Sequence, residues 1–344
     1  MKAVVFHQHG GPEVLEYTDR PDPTVNAGQV LVEIKACALN HLDVWARKGL
    51  PGIKIPLPHI LGNDIAGVVR SAGELVTWVK PGDEVMLHPG VSCGHCIECL
   101  SGRDNLCREY TMLGYLRDGG YAELLAAPGV NVIPKPANLS WEEAAALPLV
   151  TVTAWHMLVT RAHVRPGEDV LVHAAGSGVG SIAIQIAKLH GARVIATASS
   201  DEKLAKAREL GADDVLNYSN ADWPKEVRRL TNKKGVDIVF EHTGAATWPG
   251  SIASLKTNGR LVTCGATSGY DAQTDIRQVF YRHLTILGSF MGSKAELLEA
   301  MKFVETGKIK AVVDQVLPLA EARRAHELME DRAQFGKIVL RVAE

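Results

Sequence analysis

The chain has 344 residues, of which 46% are apolar and 22% charged, and its 37 Lys and Arg against 39 Asp and Glu leave a formal net charge of -2. Such a length predicts about two domains, and the composition excludes disordered, low-complexity and collagen-like classes. The near balance of charge excludes a sequence-wide field that would draw the chain to nucleic acid or to anionic lipid.

The apolar run at residues 3–6 is too short for the core of a secretory signal, and Gly10 and Gly11 follow soon afterwards, which predicts a cytoplasmic protein. The most apolar stretch, residues 170–187, contains His173, three glycines, Ser177, Ser181 and Gln185. It does not supply the roughly 20 apolar residues that a membrane span needs.

Over residues 1–135, alternating strands such as 29–36 and 84–87 are separated by Pro, Gly and Asp turns with little helical periodicity, so an all-β region is predicted. Within it the segment CGHCIECLSGRDNLC places Cys93, Cys96, Cys99 and Cys107 at C-x2-C-x2-C-x7-C spacing. Four thiolates close a tetrahedral shell around Zn²⁺ at about 2.3 Å per bond. A closed shell leaves no place for water or substrate, so the predicted ion, one per subunit, is structural. The alternative, free or partly disulfide-bonded thiols, is disfavoured in a reducing cytosol. His95, inside the lobe, reads as a solvent-facing spacer.

The tetrapeptide SWEE at 140–143 has the form of a capping box and opens the helix that leaves the β region, which puts a domain boundary near 140–150. From about residue 170 onward, short β-branched runs alternate with amphipathic stretches: 169–175, then 192–198, 215–218, 237–241, 260–264 and 284–288. Gly191 and Gly211 stand where left-handed helix ends are expected. Six parallel strands with crossover helices follow, an α/β doubly wound sheet. Two helices, 294–306 and 320–330, and a closing strand at 337–342 complete the chain.

Between the first strand of that sheet and its helix lies HAAGSGVGS, residues 173–181. Small residues there let backbone approach a pyrophosphate while the helix N-terminus offers N–H donors, so Gly176, Ser177, Gly178, Val179 and Gly180 are candidate cofactor residues. The strict G-x-G-x-x-G spacing is not met, since Ala175 and Ser177 occupy its first two glycine positions; a plain tight turn is the alternative. The acidic residue expected about 20 positions further on, which would hydrogen-bond the ribose, is replaced by Ala198. Ser199, Ser200 and Lys203 follow, hydroxyls and a cation suited to a 2′-phosphate, so NADP(H) is favoured over NAD(H). Ser200 also reads as a plain helix cap.

Together, the four-cysteine lobe, the glycine turn and the segment ALNHLDVWARKG, residues 38–49, resemble the medium-chain dehydrogenase/reductase superfamily, and the likeness covers nearly the whole chain. The resemblance implies a GroES-like β domain of residues 1–148 and 290–344, carrying the zinc lobe at 92–108, with a Rossmann domain, 149–289, inserted. It also places Thr153, Tyr218, Thr243 and Gly265 around the cofactor. Alcohol dehydrogenases of the superfamily hold a catalytic zinc through a Cys, a His-Glu pair and a later Cys. The corresponding positions here are Asn40, Asn63 with Asp64, and Leu149, and amides are poor zinc ligands. A replacement site built from His41, Asp43, His59 and Asp64 is the weaker alternative.

Hydride delivered to an isolated ketone leaves a localised alkoxide that needs a Lewis acid or strong proton donor, whereas an enone or quinone leaves a delocalised anion. The resemblance to the zinc-free branch therefore implies reduction of α,β-unsaturated carbonyls or quinones, with Asn40 and Asn63 orienting the acceptor oxygen. An alcohol dehydrogenase or aldehyde reductase, and a non-catalytic NADPH-binding protein, are the alternatives. The expected partner is a small-molecule substrate, with no nucleic acid and no membrane. Strand 284–288, at the sheet edge, predicts a homodimer or homotetramer.

Overall fold

In the computed structural model, which describes residues 1–219 and 222–343, the alternating segment QVLVEIKACA forms the ten-residue strand Gln29–Ala38 and buries Val30, Val32 and Ile34 on one face. Asp64–Ala72 pairs antiparallel along one edge of this strand. Leu124–Pro128 and Lys337–Arg341 share the other, the first against Gln29 to Glu33 and the second against Ala36 to Ala38. Gly67 lies across from this strand: a Cβ there would stand 2.1 Å from the Glu33 carbonyl oxygen, so the close approach admits only glycine. Glu84–Leu87, Val132–Pro134 and Val313–Pro318 extend the sheet, and a smaller one joins Glu16–Asp19, Lys2–Phe6 and His59–Ile60.

These strands belong to a first unit, Met1–Leu149 with Ser293–Leu297 and Ala311–Glu344. It is not all-β. Helix His41–Lys48 follows Asn40 and ends at Gly49, whose φ is 86°. N-H-L-D is itself a capping pattern, and the Asp43 carboxylate accepts the Asn40 N–H at 2.7 Å. With only eight residues the helix shows too little periodicity to be read from apolar spacing alone. Arg47, on this helix, has no exposed side-chain surface and ties it to Ala322–Glu330 by pairing with Glu330 and by donating Nη1 to His326 Nδ1 at 3.0 Å. An arginine only donates, so His326 carries its proton on Nε2 and donates to the Tyr121 oxygen at 3.2 Å.

The second unit, Val150–Gly292 with Leu298–Lys310, holds a six-stranded, wholly parallel sheet. Its spatial order is Asp214–Asn217, Arg193–Ala198, Asp169–Val172, Val236–Glu241, Leu255–Thr263, Thr285–Gly288. Leu171, Ile195, Val239 and Leu261 lie wholly buried in one cluster on a sheet face, each contributing roughly 1.5–3 kcal/mol. Left-handed Gly191 and Gly211, with φ of 74° and 107°, end the helices Gly178–Leu189 and Asp201–Glu209. The third strand in chain order begins and ends one residue earlier than its sequence suggests, which leaves Tyr218 just beyond it. Among the described residues no helix is long and apolar enough to cross a membrane.

Candidate functional site

The strand order of the parallel sheet reverses between Asp169–Val172 and Val236–Glu241, and in open α/β sheets the crevice beyond the carboxyl ends at such a reversal is where ligands lie. There the chain leaves the first strand through Ala174, at a φ of 45°, and enters helix Gly178–Leu189 with Ser177 as its cap, the Ser177 oxygen accepting the Gly180 N–H at 2.8 Å. A Cβ on Gly180 would sit 2.5 Å from the Ala174 carbonyl oxygen. Gly180 thus lets helix and strand end approach, while Gly176 to Val179 present backbone at the helix start.

Other residues singled out in the sequence share this rim. Ser199 and Ser200 follow the second strand, where the Ser200 hydroxyl oxygen accepts the Lys203 N–H at 3.4 Å. Tyr218, 39% exposed, is held beside that strand end by its N–H to the Ala198 carbonyl at 3.2 Å. Thr243 follows the fourth strand and Gly265 the fifth, where a Cβ would stand 2.9 Å from the His242 carbonyl oxygen. Thr153 lies on helix Pro148–Trp155, its hydroxyl 3.9 Å from the Met291 sulfur.

Beneath the rim runs a buried polar chain that sequence reasoning missed. The Ser251 hydroxyl donates to Glu241 at 2.7 Å and therefore accepts from His173 Nε2, 2.9 Å away, which leaves His173 Nδ1 as the acceptor for the Thr197 hydroxyl at 3.2 Å. Burial lowers His173 to about 4, so the ring is neutral. Glu241 also accepts the N–H groups of Thr243, at 2.7 Å, and Gly244, at 3.1 Å, fixing the turn after the fourth strand.

In the first unit, the thiols of Cys93, Cys96, Cys99 and Cys107 all lie within 4.8 Å of one another. Gly94 and Gly102, at φ of 78° and 75°, turn the chain around them, and the N–H groups of Cys96 and Glu109 point at Cys93 and Cys107 sulfurs, each at 3.4 Å. Hydrogen bonds from the His95 and Cys96 backbone lower the Cys93 thiol to about 7. Ile97 and Leu100 are more than 70% exposed, so the lobe has little core of its own to hold its shape. His95 is exposed, and its ring, the Cys93 thiol and the Glu109 carboxylate also bring ligand atoms within 4.8 Å of one another.

Asn40 commits its carbonyl oxygen and one amide hydrogen to neighbours in the first unit. Its Oδ1 accepts the Lys337 ammonium at 2.6 Å, and its Nδ2 donates to Asp64 Oδ2 at 2.8 Å. Asp64 Oδ2 also takes Lys337 at 2.9 Å, and Asp64 Oδ1 accepts the Leu149 N–H at 2.7 Å. Asn63 is fully buried and donates Nδ2 to the Leu113 carbonyl at 2.5 Å, while its Oδ1 has no hydrogen-bond partner among the described residues. Nothing in FGKIVLRV marks Lys337 as more than the first residue of a closing strand; only the pairing of Lys337–Arg341 with Gln29–Ala38 carries it to Asn40.

Comparison with known proteins agrees with this geometry. A family model described as alcohol dehydrogenase GroES-like domain matches residues 26–137, and one described as zinc-binding dehydrogenase matches 178–306. A solved NAD-dependent alcohol dehydrogenase is 56% identical over the whole of both chains, with a TM-score of 0.97. The chain belongs to the medium-chain dehydrogenase/reductase superfamily. An alcohol dehydrogenase of Geobacillus stearothermophilus is 36% identical over 99% of this chain and 100% of its own, and a quinone oxidoreductase of Rattus norvegicus 30% identical over 99% and 97%. This superfamily member is accordingly an oxidoreductase that joins a GroES-like domain to a Rossmann-like one.

The two metals the superfamily implies fare differently. Four converging thiols are a complete tetrahedral set for Zn²⁺. A catalytic metal does not fit: its aligned positions are two amides, a leucine and a carboxylate that already binds an ammonium, both carboxylate oxygens being hydrogen bonded. His41, Asp43, His59 and Asp64 form no replacement site, for among the described residues the groups of His, Cys, Asp or Glu whose ligand atoms lie within 4.8 Å of one another are the four cysteines and Cys93 with His95 and Glu109, none of which includes them.

Proposed function

We propose that this chain is an NADPH-dependent oxidoreductase that reduces activated alkenes or quinones by direct hydride transfer, with one structural zinc per subunit and no catalytic metal. The observation that carries the reading is the Lys337 ammonium seated between Asn40 and Asp64, in the donor set that a metal would need. NADPH, when bound, supplies the hydride. The Gly176 to Gly180 turn would take its pyrophosphate on backbone N–H groups, and Thr153, Thr243 and Gly265 would flank the rest of the dinucleotide. Ser199, Ser200, Lys203 and Tyr218 would surround the 2′-phosphate; no carboxylate ends the Arg193–Ala198 strand to repel it. Asn40, 7% exposed, would orient the acceptor oxygen through the amide hydrogen that Asp64 does not take. Asn63, wholly buried, is better suited to holding the Leu113 loop.

Cys93, Cys96, Cys99 and Cys107 would ligate the structural ion. The outer strand Thr285–Gly288 leaves Ile286 39% exposed, and the helix before it, Ile276–Tyr281, exposes Phe280 and Tyr281; this edge is the one a second copy would cover in a homodimer.

The 56% identical NAD-dependent alcohol dehydrogenase favours a second reading, oxidation of an alcohol with NAD. Both are tested by following NADPH and NADH oxidation against an enone, a quinone and a simple aldehyde, with zinc counted on the same sample. Enone or quinone turnover with NADPH and one zinc per chain supports the first reading. Aldehyde-selective turnover with two zincs establishes the second.

A further inference from the structure

The zinc lobe holds more donors than its four thiols. His95 and Glu109 are both exposed, and a ring nitrogen of the first and a carboxylate oxygen of the second lie with the Cys93 sulfur, all within 4.8 Å of one another. Imidazole nitrogen, carboxylate oxygen and thiolate are the donors that proteins offer to zinc. The His95 ring is already oriented: its Nδ1 lies 2.9 Å from the Cys93 carbonyl, to which it can only donate, so Nε2 keeps the lone pair. Metal-binding imidazoles are held by their second nitrogen in this way. Glu98, also in the lobe, is taken by Arg103 at 2.8 Å, whereas among the described residues no cation pairs with Glu109. Its carboxylate is therefore available to an ion arriving from water.

A closed tetrahedral shell has no open position, so it must be filled through a partly coordinated state. Cys107 is only 6% exposed, while Cys93 is half-buried and belongs to both donor groups. We propose that His95 and Glu109, with Cys93, form the entry site of the structural zinc, a surface station that takes the ion from water and passes it to the four thiols. Cys93 keeps its bond throughout. Cys96, Cys99 and Cys107 form theirs as His95 and Glu109 give theirs up, each thiol releasing its proton to water, and no electron changes hands. Release follows the same steps in reverse. The proposal rests on the structural zinc proposed above and is independent of the reaction catalysed.

The test uses the full-length, zinc-loaded protein as wild type and as the double variant His95→Ala/Glu109→Gln, whose altered side chains are exposed and leave the core untouched. Isotopically enriched Zn²⁺ is added in excess, and the isotope bound to the protein is followed over time by mass spectrometry. Total zinc is counted on the same samples, and zinc affinity is measured by competition with a chelator. The sign of the effect is decisive. Losing groups that merely stabilise the finished shell weakens affinity and speeds exchange, whereas losing an entry site raises the barrier in both directions and slows it. We expect one zinc per chain in both proteins, exchange slower by about tenfold in the double variant, and affinity within about threefold of wild type. Exchange in the double variant at the wild-type rate or faster overturns the entry site while leaving the structural zinc standing, and so does a larger loss of affinity. A wild type that retains no zinc overturns both.

Discussion

Lys337 and Asp64 stand 273 positions apart in the chain, yet their side chains meet at 2.9 Å inside the first unit. The strand Lys337–Arg341 makes this meeting possible by pairing antiparallel with Gln29–Ala38, which in turn pairs with Asp64–Ala72. Removing one partner should leave a buried charge unmatched. Lys337→Met alone is expected to lower unfolding free energy by about 3–5 kcal/mol, and adding Asp64→Asn to restore most of it. Urea denaturation of both variants measures this, and additive losses would show that the two charges are not coupled.

The zinc lobe offers a second check. Cys107→Ser removes one of four converging thiols, so bound zinc should fall from one per chain toward none. Because Ile97 and Leu100 are exposed and give the lobe little packing, the metal-depleted lobe should become the first site of proteolysis, between residues 93 and 107. Undiminished zinc after the substitution would mean that the ion sits elsewhere.

Cofactor choice should depend on Lys203, whose positive charge suits a 2′-phosphate. Lys203→Ala is expected to weaken NADPH binding by about tenfold, roughly 1.4 kcal/mol, and to leave NADH binding unchanged. Titration of both nucleotides by fluorescence compares them directly, and an equal loss for both would remove Lys203 from the 2′-phosphate site.

Acid should destabilise the fold through its buried histidines. Burial lowers His88 and His173 to about 4 and, with the Arg47 charge, His326 to about 3. In the unfolded chain each takes up a proton near pH 6.5, so on acidification the unfolded state binds more protons and stability falls through the window from about 6.5 to 4, by up to about 1.4 kcal/mol per pH unit for each ring. Asp43 acts in the opposite sense: burial raises its carboxyl to about 7, so its contribution is lost as pH rises from about 4 to 7. His326→Gln keeps an acceptor for Arg47 and a donor for Tyr121 without a titrating ring. Its unfolding free energy should vary less with pH across this window than that of wild type, and an unchanged slope would place the proton uptake elsewhere.

Association is expected to depend on the sheet edge. Ile286→Pro places a residue without an N–H in Thr285–Gly288, at the outer edge of the parallel sheet, and should convert a dimer to monomers in sedimentation velocity. A variant that sediments like wild type would locate the interface on another face.

Much of this protein was written in local patterns. Period-two alternation marked Gln29–Ala38, βα punctuation marked the parallel sheet, and C-x2-C-x2-C-x7-C marked four thiols that do converge, because such features depend on neighbours within a few residues. The Asn40, Asn63 and Leu149 departures were equally legible, since each is a change of residue type at one position. The partners of Asn40 and Asp64 were not: Lys337 reaches both only through strand pairings that span nearly the whole chain. The same holds for the partners of Asn40, whose carbonyl oxygen and one amide hydrogen are taken by a buried cation and carboxylate. Residue type and spacing specify which groups are available, while long-range pairing and burial decide which of them face one another, for the energy of a buried charge depends on what surrounds it in space and not on its neighbours along the chain.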